Sequence, residues 1–178
     1  AYKFVFYALS HSDPEPEPEP EVTYLDKMSS APADKDEIVI YHPASSMALT
    51  ATASGKKLAG TEATLKDEKL PLNDDMVILT VSVDGDDYSF ISKDGKYLTS
   101  GPTGNSLSFA DEKSDYSLWS VVEQSDGTFY IVNKNAVYNG NKQALEYYSG
   151  FTTYGVKDDN TAYKFVFYAL SHSDPEPE

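Results

Sequence analysis

Between residues 37 and 170 the chain alternates short apolar runs with turn-forming residues, and within the runs apolar and polar positions follow a period of two. EIVIYHP (37–43), MALTAT (47–52) and KKLAGTEATL (56–65) come first. DMVILTVSV (75–83) passes through DGDD into YSFIS (88–92), and Asp94-Gly95 leads into KYLTS (96–100) and then NSLSFA (105–110). YSLWSVVE (116–123) passes Asp126-Gly127 into TFYIVN (128–133). QALEYYS (143–149), FTTYGV (151–156) and YKFVFYAL (163–170) complete the series. The Asp-Gly pairs are hairpin signals, because tight two-residue turns need φ > 0. No window has the 3.6-residue period of a long amphipathic helix. The pattern predicts an all-β domain.

These strands repeat weakly. Residues 74–100 superpose on 114–149, with Leu79 on Trp119, Val81 on Val121, Tyr88 on Phe129 and Leu98 on Leu145. A third register begins near residue 159, placing Tyr163 on Trp119 and Phe165 on Val121. Its second half lies upstream, in residues 37–52, where Leu49 falls on Leu98. Three units of four strands therefore exist only if the last strand of the chain supplies the first strand of the first unit. This is the pattern of a β-trefoil, a closed six-stranded barrel capped by three hairpins. The terminal strand is expected beside residues 37–43, where it removes an exposed sheet edge.

That terminal strand is present twice. Residues 1–17, AYKFVFYALSHSDPEPE, recur unchanged as 162–178. Either the chain is one 161-residue period of a tandem array plus a remnant, or a strand was appended to one domain. The barrel has one slot for it. The C-terminal copy reaches that slot over a short loop, whereas the N-terminal copy must span about 28 residues, which favours the C-terminal copy by about 1 kcal/mol. The losing copy is expected to pair with a neighbouring molecule, giving a strand-exchanged homo-oligomer. The division expected is 1–12 for the strand copy, 13–30 for a Pro/Glu-rich linker, 31–172 for the domain and 173–178 for the next linker. DPEPEPEPE (13–21) reads as an extended spacer. Val22, Tyr24, Leu25 and Met28 are available to dock on the domain.

Composition narrows the function. Across 178 residues there are 29 acidic and 14 basic side chains, a net charge of −15, which repels nucleic acid and anionic lipid. No cysteine is present, so disulfides, cysteine-ligated metals and thiol catalysis are excluded. No run approaches the roughly 18 apolar residues of a membrane span. Since Ala1 opens directly on a strand-like run, any export signal is expected outside these residues.

APADKDEIVIYHPASSMALT, DDMVILTVSVDG, GKYLTSGPTGNSLSF, DYSLWSVV, NAVYNGNKQALEYYSGFTTYG and AYKFVFYAL together resemble an accessory module of large secreted or surface proteins of gut Firmicutes. The resemblance covers residues 31–170. It implies a secreted or cell-surface location and neighbouring domains such as metallophosphoesterase/5′-nucleotidase, nuclease or other repeats in the same chain. It carries no catalytic or binding motif. The Gln-X-Trp signature of ricin-type lectin trefoils is absent.

Candidate chemistry is sparse. His42 is the only histidine between residues 37 and 170, with His11 and His172 in the linker copies, and a Ser–His–Asp system needs it oriented by a carboxylate and facing a serine. Before Pro43 at a strand end, it reads as a surface or turn residue. Asp74, Asp75, Asp84, Asp86, Asp87, Asp158 and Asp159 are calcium-type ligands, but their spacing departs from an EF-hand loop and reads as solvated turns. No catalytic group, metal or cofactor is assigned.

The best binding signal is VYNGNKQALEYYSGFTTYG (137–155), where aromatics interleave with Gln143, Thr152 and other polar groups. The candidate ligand residues are Tyr138, Asn139, Asn141, Glu146, Tyr148, Phe151 and Tyr154. Strand alternation puts Leu145 and Tyr147 on the inner face, and Glu146 and Tyr148 on the outer one. Such a mixture suits stacking on sugar C–H groups, a protein patch, or plain barrel packing. The function expected is a non-catalytic carbohydrate-binding module; the alternative is a structural spacer or protein-adhesion module. The partners expected are a glycan or host surface protein and adjacent domains, without nucleic acid or membrane insertion.

Overall fold

The structure, a computed structural model, describes residues 2–5, 22–156 and 160–170. The linker run 13–21, the turn Asp158-Asp159 and residues 171–178 lie outside the described residues. Among the described residues there are fourteen strands: β1 (Tyr24–Lys27), β2 (Glu37–His42), β3 (Met47–Ser54), β4 (Lys57–Glu62), β5 (Leu70–Pro71), β6 (Leu79–Asp84) and β7 (Asp87–Ser92) come first. β8 (Tyr97–Ser100), β9 (Leu107–Ala110), β10 (Trp119–Glu123), β11 (Phe129–Tyr138), β12 (Asn141–Tyr147), β13 (Phe151–Gly155) and β14 (Val166–Ala169) follow. Among the described residues the helical segments are three-residue 3₁₀ turns only. Gly95 (φ 81°) and Gly127 (φ 75°) sit in the left-handed region at two of the Asp-Gly turns, as such turns require.

Three strand pairs, β14–β2, β6–β7 and β10–β11, surround the main core, and three hairpins, β3–β4, β8–β9 and β12–β13, lie on one end. Neighbouring pairs are joined by β2–β6 and β7–β10. The last junction is one bridge, Phe129 with Phe165, whose two N–H···O bonds measure 2.8 and 3.0 Å. Trp119, Leu79, Phe90, Phe129, Phe165 and Phe167 fill the core at 0% exposure. The Trp119 indole N–H, which needs an acceptor when buried, donates to the Leu98 carbonyl at 3.0 Å.

The three-unit reading holds, with one correction. Trp119 pairs with Asn133 and Tyr88, and Leu79 pairs with Ser92 and Ile38. In the third unit the residue so placed is Phe165, which bridges Phe129 and precedes the Val166–Tyr41 pair, rather than Tyr163. A two-residue slip leaves every side chain on its own face, so alternation alone does not detect it.

A second cluster covers the outer face of β2 and β14. Leu25 of β1, Leu70 of β5, Val39, Tyr41, Val166 and Tyr168 are buried there. β1 pairs with both β14 and β5, so residues 24–27, within the stretch read as linker, belong to the sheet. Val22 remains 51% exposed.

Candidate functional site

The β12–β13 hairpin is set by two turns in which both central residues take positive φ. Asn139 (49°) and Gly140 (76°) connect β11 to β12, and Ser149 (50°) and Gly150 (132°) connect β12 to β13. The register Glu146–Thr152, with Ala144 opposite Tyr154, puts Glu146, Tyr148, Thr152 and Tyr154 on one face. Tyr147 and Phe151 share the other, their rings 5.0 Å apart and edge to face.

The outward face forms one wall of a cavity of about 530 Å³. Ser54, Lys56 and Lys57 from β3–β4 and Asn105 from the β8–β9 turn form the rest. Backbone bonds lock the three hairpins together: the Leu107 N–H donates to the Lys56 carbonyl at 2.9 Å, and the Asn105 N–H to the Thr153 carbonyl at 2.6 Å. Phe151 pairs with Leu58 across β13 and β4.

Tyr148 is 70% exposed, and the Lys57 ammonium lies 5.1 Å from its ring centroid while donating to the Tyr148 carbonyl. Burial raises the Glu146 carboxyl pKa above its ordinary value, against the opposing pull of Lys57. Thr152, only 3% exposed, has a buried hydroxyl without a hydrogen-bond partner among the described residues. Behind the wall, the buried Tyr163 phenol donates to the Gly155 carbonyl at 3.0 Å. Its pKa is pushed up to about 12, first by burial and then by the nearby Glu146, Tyr154 and Tyr130.

Of the seven candidate residues, Glu146, Tyr148 and Tyr154 line this cavity. Tyr138, 50% exposed, lines an adjoining cavity of about 450 Å³ that shares Lys56 and Asn105 with the first. Asn139 occupies the turn and Asn141 is exposed beside it; neither lines these two cavities. Phe151 is a correction. At 0% exposure it packs against Tyr147 and Phe165 in the core and presents nothing to a ligand. The alternation that turned Tyr147 inward applies equally to Phe151, its partner across the hairpin. Ser54, Lys56, Lys57 and Asn105 were not selected from sequence. The signal was available in the alignment of Leu49, Leu98 and Leu145, which already made the three hairpins equivalent.

His42 is also corrected. It is 2% exposed, stacked on Tyr147 at 5.1 Å and lying against Phe165 at 5.3 Å. Its Nε2 lies 2.9 Å from the Thr161 carbonyl, which only accepts, so Nε2 carries the proton and Nδ1, without a partner among the described residues, does not. Burial lowers its pKa, outweighing that hydrogen bond. It sits where Asn133 and Ser92 sit in the other units, each a buried polar residue. This is the setting of a neutral structural histidine. Among the described residues no three His, Cys, Asp or Glu side chains gather in a way that could hold a metal ion. No helix there is long and apolar enough to cross a membrane.

Solved structures share this architecture. SeviL bound to asialo-GM1 saccharide superposes with a TM-score of 0.53 at 18% identity, over 75% of this chain and 96% of that one. BEL, a β-trefoil in an apo crystal form, gives 0.58 at 12% identity, over 79% and 97%. The fold is a β-trefoil. The β-trefoil also superposes on the GlcNAcα1-4Gal releasing endo-β-galactosidase of Clostridium perfringens, with a TM-score of 0.60 at 15% identity, over 76% of this chain and 33% of that one. No protein-family model matches the sequence, and no curated protein matches it. At these identities the likeness speaks of fold.

Proposed function

We propose that this β-trefoil is a non-catalytic, carbohydrate-binding module of a secreted or cell-surface protein, with its site on the hairpin cap. The observation that carries the reading is the roughly 530 Å³ cavity, lined by the exposed rings of Tyr148 and Tyr154 together with Glu146 and Thr152. Its size lies in the range of small-ligand sites. Aromatic faces stack on sugar C–H surfaces, while Glu146 accepts from sugar hydroxyls and Lys56 and Asn105 donate to them. Glycoside hydrolysis commonly takes two carboxyl groups flanking the bond, and Glu146 alone among the lining residues carries one. Two neighbours in fold support the ligand class: SeviL is bound to a saccharide, and the Clostridium enzyme is a galactosidase. The secreted setting rests on the resemblance of residues 31–170 to surface modules.

A glycan array probed with the full chain tests this, alongside Tyr148→Ala and Glu146→Gln. Binding to a defined set of saccharides, lost in both variants, is expected. Silence on the array with saturable binding to host surface proteins would replace the reading by protein adhesion. Glycoside turnover lost in Glu146→Gln would replace it by catalysis.

A further inference from the structure

β14 fills a slot between β1 and β2. It makes four register pairs with β2, from Val166–Tyr41 to Ala169–Ile38, and two with β1. Its side chains enter both cores. Phe165 and Phe167, both 0% exposed, point into the main core, where Phe167 lies 5.2 Å from the Phe129 ring and 6.2 Å from that of Phe90. Val166 (3%) and Tyr168 (2%) enter the second cluster, Tyr168 meeting Tyr41 edge to face at 5.6 Å. The slot therefore reads four consecutive apolar side chains on two faces, a demanding sequence requirement.

Residues 3–8 supply the same Lys-Phe-Val-Phe-Tyr-Ala series as residues 164–169. The contacts within the slot cannot distinguish the copies. Only their tethers differ. In the N-terminal copy Tyr2 is 97%, Phe4 83% and Val5 73% exposed, the highest values among the described large hydrophobic residues. Exposed apolar side chains of this kind are driven toward burial.

We propose that the slot is an intermolecular docking site, filled by residues 1–9 of a second copy of this chain through β-strand exchange. Each chain then offers a donor strand in residues 1–9 and an acceptor slot between β1 and β2. Reciprocal exchange closes a dimer, and one-way exchange propagates head to tail into chains or rings. The acceptor's own strand leaves as the donor enters, and the slot's contacts are conserved. What opposes exchange is the effective concentration of the tethered strand, so the exchanged fraction rises with protein concentration.

The test uses the full chain. Phe165→Asp/Phe167→Asp spoils the chain's own closing strand and leaves the donor copy intact. The variant is expected to fold with an all-β circular-dichroism spectrum at masses of at least twice 19.6 kDa, falling on dilution together with loss of the fold. Adding Phe4→Asp/Phe6→Asp should abolish both. A folded variant that is monomeric at all concentrations overturns the proposal. If the first variant does not fold, the decision passes to the unmutated chain, compared with Phe4→Asp/Phe6→Asp alone. Up to about 1 mM, the scale on which short tethers act, its weight-average mass should rise above that of the variant. Equal masses for the two overturn the proposal.

Discussion

Phe4 and Phe165 are the same residue in the same sequence, 161 positions apart, and one is 83% exposed while the other is fully buried. Val5 and Val166 repeat the contrast at 73% and 3%. Local propensity is identical in the two copies, so it cannot be what makes a strand of one of them. β2, β1 and the two cores provide the partners, and the chain reaches them from its C-terminal side. The comparison isolates the tertiary contribution to a strand from its intrinsic one.

The largest test of that contrast is a pair of single substitutions. Phe165→Ala removes a fully buried ring and should cost about 3–5 kcal/mol of unfolding free energy. Phe4→Ala should stay within about 0.5 kcal/mol, as an exposed change does. Urea titrations of both at dilute concentration measure the difference. Equal losses would mean that the two copies share the slot even when dilute.

Adjacent tyrosines repeat the comparison over one residue. Tyr147 packs on His42 and Phe151, whereas Tyr148 faces solvent beside Lys57. Tyr147→Ala should cost about 2 kcal/mol, and Tyr148→Ala less than about 0.5 kcal/mol. Tyr148→Ala should nonetheless lose glycan binding on the array. A Tyr148→Ala protein that unfolds would reverse the assignment of faces in β12.

The strands, the three-unit plan and the position of the closing strand were legible because all follow from a period of two and a repeat of apolar positions. Leu49, Leu98 and Leu145 were aligned from sequence, and all three are fully buried. Placing Tyr163 where Phe165 belongs is the error such a signal permits, because a two-residue shift preserves the pattern. Properties that depend on distant segments were less accessible. His42 is buried by Tyr147 and Phe165, more than a hundred positions away, and its strand-end position before Pro43 suggested exposure. Likewise half of the cavity wall, Ser54, Lys56, Lys57 and Asn105, comes from hairpins other than the aromatic-rich one. Local composition marked one wall; the topology supplied the rest.

Burial of His42 gives a third way to sharpen the contrast, since the C-terminal copy covers it through Phe165. Its folded pKa lies below the ordinary value of 6.5, because burial opposes the charge. Between that folded pKa and 6.5 the unfolded chain binds more protons, so stability should fall as pH drops through this window and level off below it. His42→Gln should remove this contribution from a pH series of thermal melts. In the Phe165→Asp/Phe167→Asp variant at dilution, the His42 resonance should titrate near the ordinary value. If the resonance that disappears in His42→Gln titrates near 6.5 in the intact monomer, His42 lies in solvent.

The smallest effect separates Lys164 from its counterpart Lys3. Lys164 Nζ lies 2.8 Å from Asp126 Oδ2, whereas Lys3 is exposed. The Lys164 hydrogen bond, followed by those from Thr128, holds the Asp126 carboxyl far below the usual carboxylate range. A depressed folded pKa gives stability that is present above the ordinary carboxylate value of about 4 and fades as pH falls below it. Asp126 is largely open to water, its side chain 45% exposed, so solvent and salt screen most of the attraction. Lys164→Ala should therefore cost only about 0.2–1 kcal/mol at neutral pH, less in high salt, and Lys3→Ala should cost nothing measurable. The ratio matters more than the size. A Lys3→Ala protein that loses as much as Lys164→Ala at dilute concentration would show the N-terminal copy seated against Asp126, and the contrast between the two strands would collapse.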